Sequence, residues 1–168
     1  MRRLVQTIIV GLSVGAMHTA ALAQPAALSP EQIAQIFCIA SVGNDMAPVE
    51  GLLTPDLTAA IATAETENDR RAAAQPDEKP PLGDGIPWQS FPDYADQCTP
   101  GSTGFMMDEA EVKLVYAFTG YPDATITDTL KLRLVDDART GARVWRIDNI
   151  AYATDGNLRT TLLSAFMD

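Results

Sequence analysis

A phenol and a carboxylate on one apolar surface can pass a proton between them, and this chain has residues that fit the description. In "EVKLVYAF", residues 111–118, alternation sends Leu114, Tyr116 and Phe118 to one side of a strand, with Tyr116 the polar exception among them. Asp128 in "ATITDTLKLRLV" and Asp148 in "VWRIDNIAY" are the carboxylates that strand register could bring towards it. Trp88, Phe91 and Tyr94, at three-residue spacing in a proline-rich stretch, suggest a second chemistry. They would form a lid that grips an apolar ligand, or the anchors that keep a long loop ordered. Cys38 and Cys98 are the only cysteines, an even pair that an oxidising compartment would join as a disulfide.

Other chemistries are narrowed by what is missing. The single histidine, His18, lies in a leader-like N-terminus. Without it no Ser-His-Asp or Cys-His device can form, and the commonest ligand of zinc, copper and iron is lost. The acidic stretches "DYAD", "DDARTG" and "PDEKPPLGDG" lack the alternating acids and distal glutamate of a calcium loop. Neither a metal nor a cofactor is expected.

The N-terminus has the three parts of a cleavable signal: basic "MRR", the apolar stretch "LVQTIIVGLSVGAM", and "ALA" before Gln24. The expectation is a signal peptide over 1–23, cut after Ala23. A periplasmic or secreted chain of residues 24–168 would remain, one domain with no membrane span after cleavage. Charge is uneven along it. Residues 24–111 hold fifteen Asp and Glu against three Lys and Arg, whereas residues 112–168 hold seven of each. An acidic half joined to a neutral one argues against nucleic acid and anionic membranes as partners.

The elements follow from periodicity. Ser29, Pro30 and Gln32 make a capping box before an apolar stripe of Ile33, Ile36, Phe37 and Ala40, which predicts a helix with Cys38 beside the stripe. "APVEGLLTPDL" predicts a short helix, then a longer one starting at Thr54-Pro55 and continuing through Ile61 and Ala64. Residues 75–104 hold six of the eleven prolines and four glycines, so they predict an ordered cover with no long regular element, containing one helical turn or short strand and strapped over the first helix by the disulfide. From Glu111 the period becomes two, predicting three strands over 111–118, 124–135 and 143–152. Leu130, Leu132 and Leu134 would share the inner face with Tyr116 and Trp145. A bulge at Asp148-Asn149 is needed to keep Ile150 and Tyr152 on that face. "DGNLRTTLLSAFM" predicts a closing helix. The class is α+β, with N-terminal helices packed on a curved antiparallel sheet.

This order of elements resembles the nuclear transport factor 2-like superfamily. The resemblance rests on "LLTPDL", on the Trp-x-Ile-Asp-x-Ile pattern of Trp145 through Ile150, and on Leu-Arg-x-x-Leu at Leu158 through Leu162. It is nearest to a subgroup of exported bacterial domains without an assigned function. It implies a cone-shaped fold, at whose mouth the lid of Trp88, Phe91 and Tyr94 would sit, with Tyr116 as the further candidate ligand contact. Enzymes of this superfamily, such as ketosteroid isomerase, combine a carboxylate base with a tyrosine in an apolar cavity. Tyr94, Tyr116, Tyr121 and Tyr152 with the aspartates supply those ingredients, but at no defined spacing.

The favoured expectation is therefore an exported, non-catalytic binding or interaction module of the bacterial envelope, facing a protein or a small apolar ligand. An isomerase- or dehydratase-type enzyme using Tyr116 and an aspartate is the first alternative. A homodimer is the second, formed through the outer sheet face where Lys113, Lys131, Arg133 and Arg146 lie among Val115, Ala117 and Val135.

Overall fold

A computed structural model describes residues 27–83 and 85–167, so the expected signal peptide lies outside the described residues. In chain order the elements are α1 (Pro30–Val42), α2 (Ala47–Glu50), α3 (Pro55–Ala74), β1 (Gln97–Met106), β2 (Glu109–Phe118), β3 (Tyr121–Asp136), β4 (Arg143–Ala151) and α4 (Leu158–Ser164). The strands form one antiparallel meander in the order β1-β2-β3-β4. The class is α+β, as the change of period from helical to two implies.

Each helix starts where side-chain oxygens satisfy its free amides. Ser29 accepts from the Gln32 amide while Gln32 reaches back to the Ser29 amide, and Pro30 fills the first turn of α1. Thr54 accepts from the Leu57 amide at α3, and Asn157 with Thr160 forms the reciprocal pair at α4. Ile33, Phe37 and Cys38 from α1, Leu57 and Ile61 from α3, and Leu158 and Leu162 from α4 are buried. They meet the sheet face made by Val112, Leu114 and Tyr116 of β2, Leu130 and Leu132 of β3, and Ile147 and Ile150 of β4. Cys38 and Cys98 are bonded, joining the middle of α1 to the start of β1 across a separation of 60 residues.

One correction concerns residues 75–104. The strand in their distal part is not a short piece of the cover but β1, a fourth strand of the sheet with ten residues, paired to β2 from Gln97↔Ala117 to Met106↔Glu109. Proline and glycine are compatible with it because β1 is an edge strand. Its register also slips between Pro100 and Thr103, where a missing amide breaks little. The "TGYPD" connection is likewise shorter than its composition suggests, since only Thr119 and Gly120 lie between β2 and β3.

The bulge sits where the phase of "VWRIDNIAY" requires one. Lys131 faces Asn149 and Leu132 faces Ile147, leaving Asp148 as the extra residue and returning Ile150 to the core. The outer edge of β4 is closed by "LLT". Thr54 donates its amide to the Ile147 carbonyl at 2.8 Å, and Ile147 donates to the Leu52 carbonyl at 2.8 Å.

Candidate functional site

The irregular cover from Gln75 to Asp96 crosses the sheet end nearest α4, and its anchors define the site. Leu82 is buried, and its amide donates to the Asn68 side chain of α3 at 2.8 Å. Trp88 meets Phe37 edge-on with ring centroids 6.4 Å apart. Phe91 meets Tyr116 at 5.0 Å and Phe118 at 5.2 Å, also edge-on. Gln89 accepts from the Ser41 hydroxyl and donates to the Asp93 carbonyl. The Tyr152 hydroxyl, just beyond β4, donates to the Pro87 carbonyl.

Between the cover, the end of α1 and α4 lies a hollow of about 740 Å³, open on one side. Trp88, Phe91 and Tyr94 all line it, so the three-residue spacing brings its aromatics to one place. Two of them also serve as anchors. Trp88 and Phe91 are partly buried on the core, whereas Tyr94 is 64 % exposed. The rest of the wall comes from residues that periodicity did not single out as ligand contacts: Ser41, Asn44, Gln89, Tyr152, Thr161 and Ser164 among them. Among these, only Tyr152 carries a sequence signal, through its out-of-phase position and its place among the candidate tyrosines.

Tyr116 does not line the hollow. It is fully buried one layer behind Phe91, and its hydroxyl has no hydrogen-bond partner among the described residues. Burial pushes its phenol well above the ordinary tyrosine range, and the nearby carboxylate of Asp128 and the Tyr152 side chain push it further. Tyr152 is pushed up to about 12, mainly by burial; Asp128 adds to this and the Thr161 hydroxyl opposes it.

Asp128 does share the inner face with Tyr116 and is fully buried. Its two oxygens already have partners, however. Oδ2 accepts the Ser90 amide at 3.0 Å and Oδ1 the Ala153 amide at 2.8 Å. The carboxylate thus ties the cover and the chain after β4 to the centre of the sheet. Asp148 is elsewhere, at the bulge. There its Oδ1 accepts from Thr54 at 3.1 Å, Arg159 at 2.9 Å and Arg133 at 3.3 Å, which joins α3, α4 and β3 in one polar knot. Tyr121 is 73 % exposed on β3.

The outer sheet face is a lattice of pairs. Lys131 is bonded to Glu111, Lys113 donates to Thr129 at 2.9 Å, Arg146 pairs with Asp137 at 3.3 Å and Arg133 with Asp148 at 3.3 Å. Lys131, Arg133 and Arg146 are each balanced by an acid, whereas Lys113 is bonded to a neutral hydroxyl. Among the described residues, no three acid, histidine or cysteine side chains converge as a metal site, and no helix is long and apolar enough to cross a membrane. Comparison with protein families, curated proteins and solved structures finds no match to this chain.

Proposed function

We propose that this chain is an exported, non-catalytic binding module of the bacterial envelope, whose ligand seat is the hollow beneath the aromatic cover. The observation that carries this reading is the hollow itself. Its volume falls within the range of roughly 300–1,000 Å³ usual for small-molecule sites, and it is walled by four separate parts of the chain held in place by anchors. The disulfide supports an extracytoplasmic setting, as does the signal-like sequence before Gln24. The relationship to the nuclear transport factor 2-like cone stays a proposal, supported by helices before an antiparallel sheet and by the bulge in the Trp-x-Ile-Asp-x-Ile strand.

The acid–base alternative draws no support from the hollow. Tyr116 is sealed off behind Phe91, and Asp128 is engaged by two amides. The homodimer alternative would have to use an outer face on which Lys131, Arg133 and Arg146 are already paired with acids.

A small-molecule screen by ligand-observed NMR tests the binding reading. Hits should lose their signal when Ser164→Trp places an indole at the hollow wall, with the melting temperature retained. Hits that bind Ser164→Trp as well as the parent would overturn it. N-terminal sequencing of the exported protein should begin at Gln24.

A further inference from the structure

The chemistry of the wall narrows the ligand class; this inference rests on the binding-module reading just given. One residue in five of this chain is charged, at 20 %. Even so, the described lining of the hollow contains no Asp, Glu, Lys, Arg or His. A ligand that depended on a phosphate, carboxylate or ammonium group would find no counter-charge in the described lining. A purely hydrocarbon ligand fits no better. Ser41, Asn44, Gln89, Ser90, Thr161 and Ser164 place hydroxyls and amides around the wall, and covering them with apolar surface would strip their water without replacement.

Aromatic faces alternate with these neutral polar groups. Tyr94 is 64 % exposed at the hollow and makes no ring–ring contact among the described residues. Its free face is electron-rich and suited to polarised C–H bonds lying flat against it. Asn44 supplies the complementary polar group. Its side-chain amide makes no hydrogen bond among the described residues, so both its donor and its acceptor are unused. Its backbone is nevertheless fixed, at φ 50°, with its amide donating to the Ser41 carbonyl at 3.2 Å. Asparagine tolerates that left-handed conformation better than other side-chain-bearing residues.

We propose that the hollow is a seat for an uncharged saccharide, with one sugar ring stacked on Tyr94 and its hydroxyls met by Asn44 and the neighbouring neutral side chains. A sugar ring combines a C–H face with a rim of hydroxyls and no charge, which is the combination this wall presents. The polar groups replace the water that the ring loses, and the aromatic face gives it orientation.

Trp88 provides the reporter, because it lines the hollow while the other tryptophan, Trp145, packs against Phe105. In Trp145→Phe protein, triacetylchitotriose and maltotriose are titrated against Trp88 fluorescence, beside trigalacturonate as a charged trimer and Nile red as an apolar, uncharged probe. Saturable binding of an uncharged trisaccharide, weakened about tenfold or more by Tyr94→Ala and also weakened by Asn44→Gly, is the expected result. Asn44→Gly removes the amide while keeping the left-handed backbone unstrained. Equal binding of the charged trimer, or sugar binding that is indifferent to Tyr94→Ala, would overturn the proposal. If Nile red alone enters the hollow, the saccharide inference fails and the binding module stands. If no probe binds, both fail.

Discussion

The sheet and the cover spend the same residue types differently. On the sheet, Tyr116 is sealed with its hydroxyl unpartnered among the described residues, and Asp128 and Asp148 are tied to amides, arginines and a threonine. On the cover, tyrosine and neutral polar residues face an open hollow with some hydrogen-bonding capacity unused. Residues that look reactive in the sequence therefore hold the fold together, and residues that look like loop filler line a hollow of about 740 Å³. A polar group is available for binding only where its neighbours leave it room and unpaired atoms. The carboxylates lack both, whereas Tyr94 and Asn44 have both.

If the cover owes its position to ties with the rigid half, cutting the strongest tie should have the largest effect. The Cys38–Cys98 bond closes a loop of 60 residues. Replacing both cysteines with alanine should cost about 4 kcal/mol from chain entropy alone, measured by urea unfolding. The hollow should lose ligand binding in parallel. A loss confined to stability, with binding kept, would mean that the cover is held independently of α1.

Asp128→Asn comes next. The amide has only one acceptor, so either Ser90 or Ala153 would face an NH₂ group in a fully buried place. The expected cost is about 2 kcal/mol, set by one lost charge-assisted bond and one orphaned amide. Hydrogen exchange should speed up first at Ser90 and Gln89. Faster exchange spread over β2 and β3 instead would show that Asp128 supports the sheet rather than the cover.

Alkaline pH probes the same junction more gently. Tyr152 has a folded-state value raised from 10.0 to about 12, and Tyr116 is raised in the same direction. Above pH 10 the unfolded chain releases these protons while the folded chain keeps them, so unfolding becomes progressively favoured. The stability they confer is thus complete below pH 10 and declines as pH rises towards 12. Tyr152→Phe should flatten that decline in a pH series of urea midpoints. An unchanged slope would place the alkaline sensitivity elsewhere.

The regular half was readable because its signals repeat. Ser29 and Thr54 mark helix starts by chemistry that needs no tertiary partner, and the alternation through Leu114, Leu130 and Leu132 fixes a buried face. The bulge was readable too, because Ile147 and Ile150 can share a face only if Asp148 is extra. In β1, Pro100 and the glycines outweigh weak alternation in any local reading, although an edge strand tolerates them. The site was least legible. Its aromatics were visible by spacing, but Ser41, Asn44 and Thr161 acquire a role only when distant segments meet. The partners of Asp128 are backbone amides, which carry no residue signature at all.

The smallest effect expected is also the most discriminating in sign. Most truncations of a buried tyrosine hydroxyl remove a hydrogen bond and destabilise. Tyr116→Phe removes a hydroxyl that has no partner among the described residues, and it leaves the edge contact with Phe91 in place. An orphaned buried hydroxyl costs stability without return, so its removal should leave the protein within about 1 kcal/mol of the parent and on the stable side. Urea unfolding measures this directly. A clear loss of stability would reveal a partner for the phenol. The line between an inert sheet and an available hollow would then have to be redrawn to place Tyr116 with the hollow.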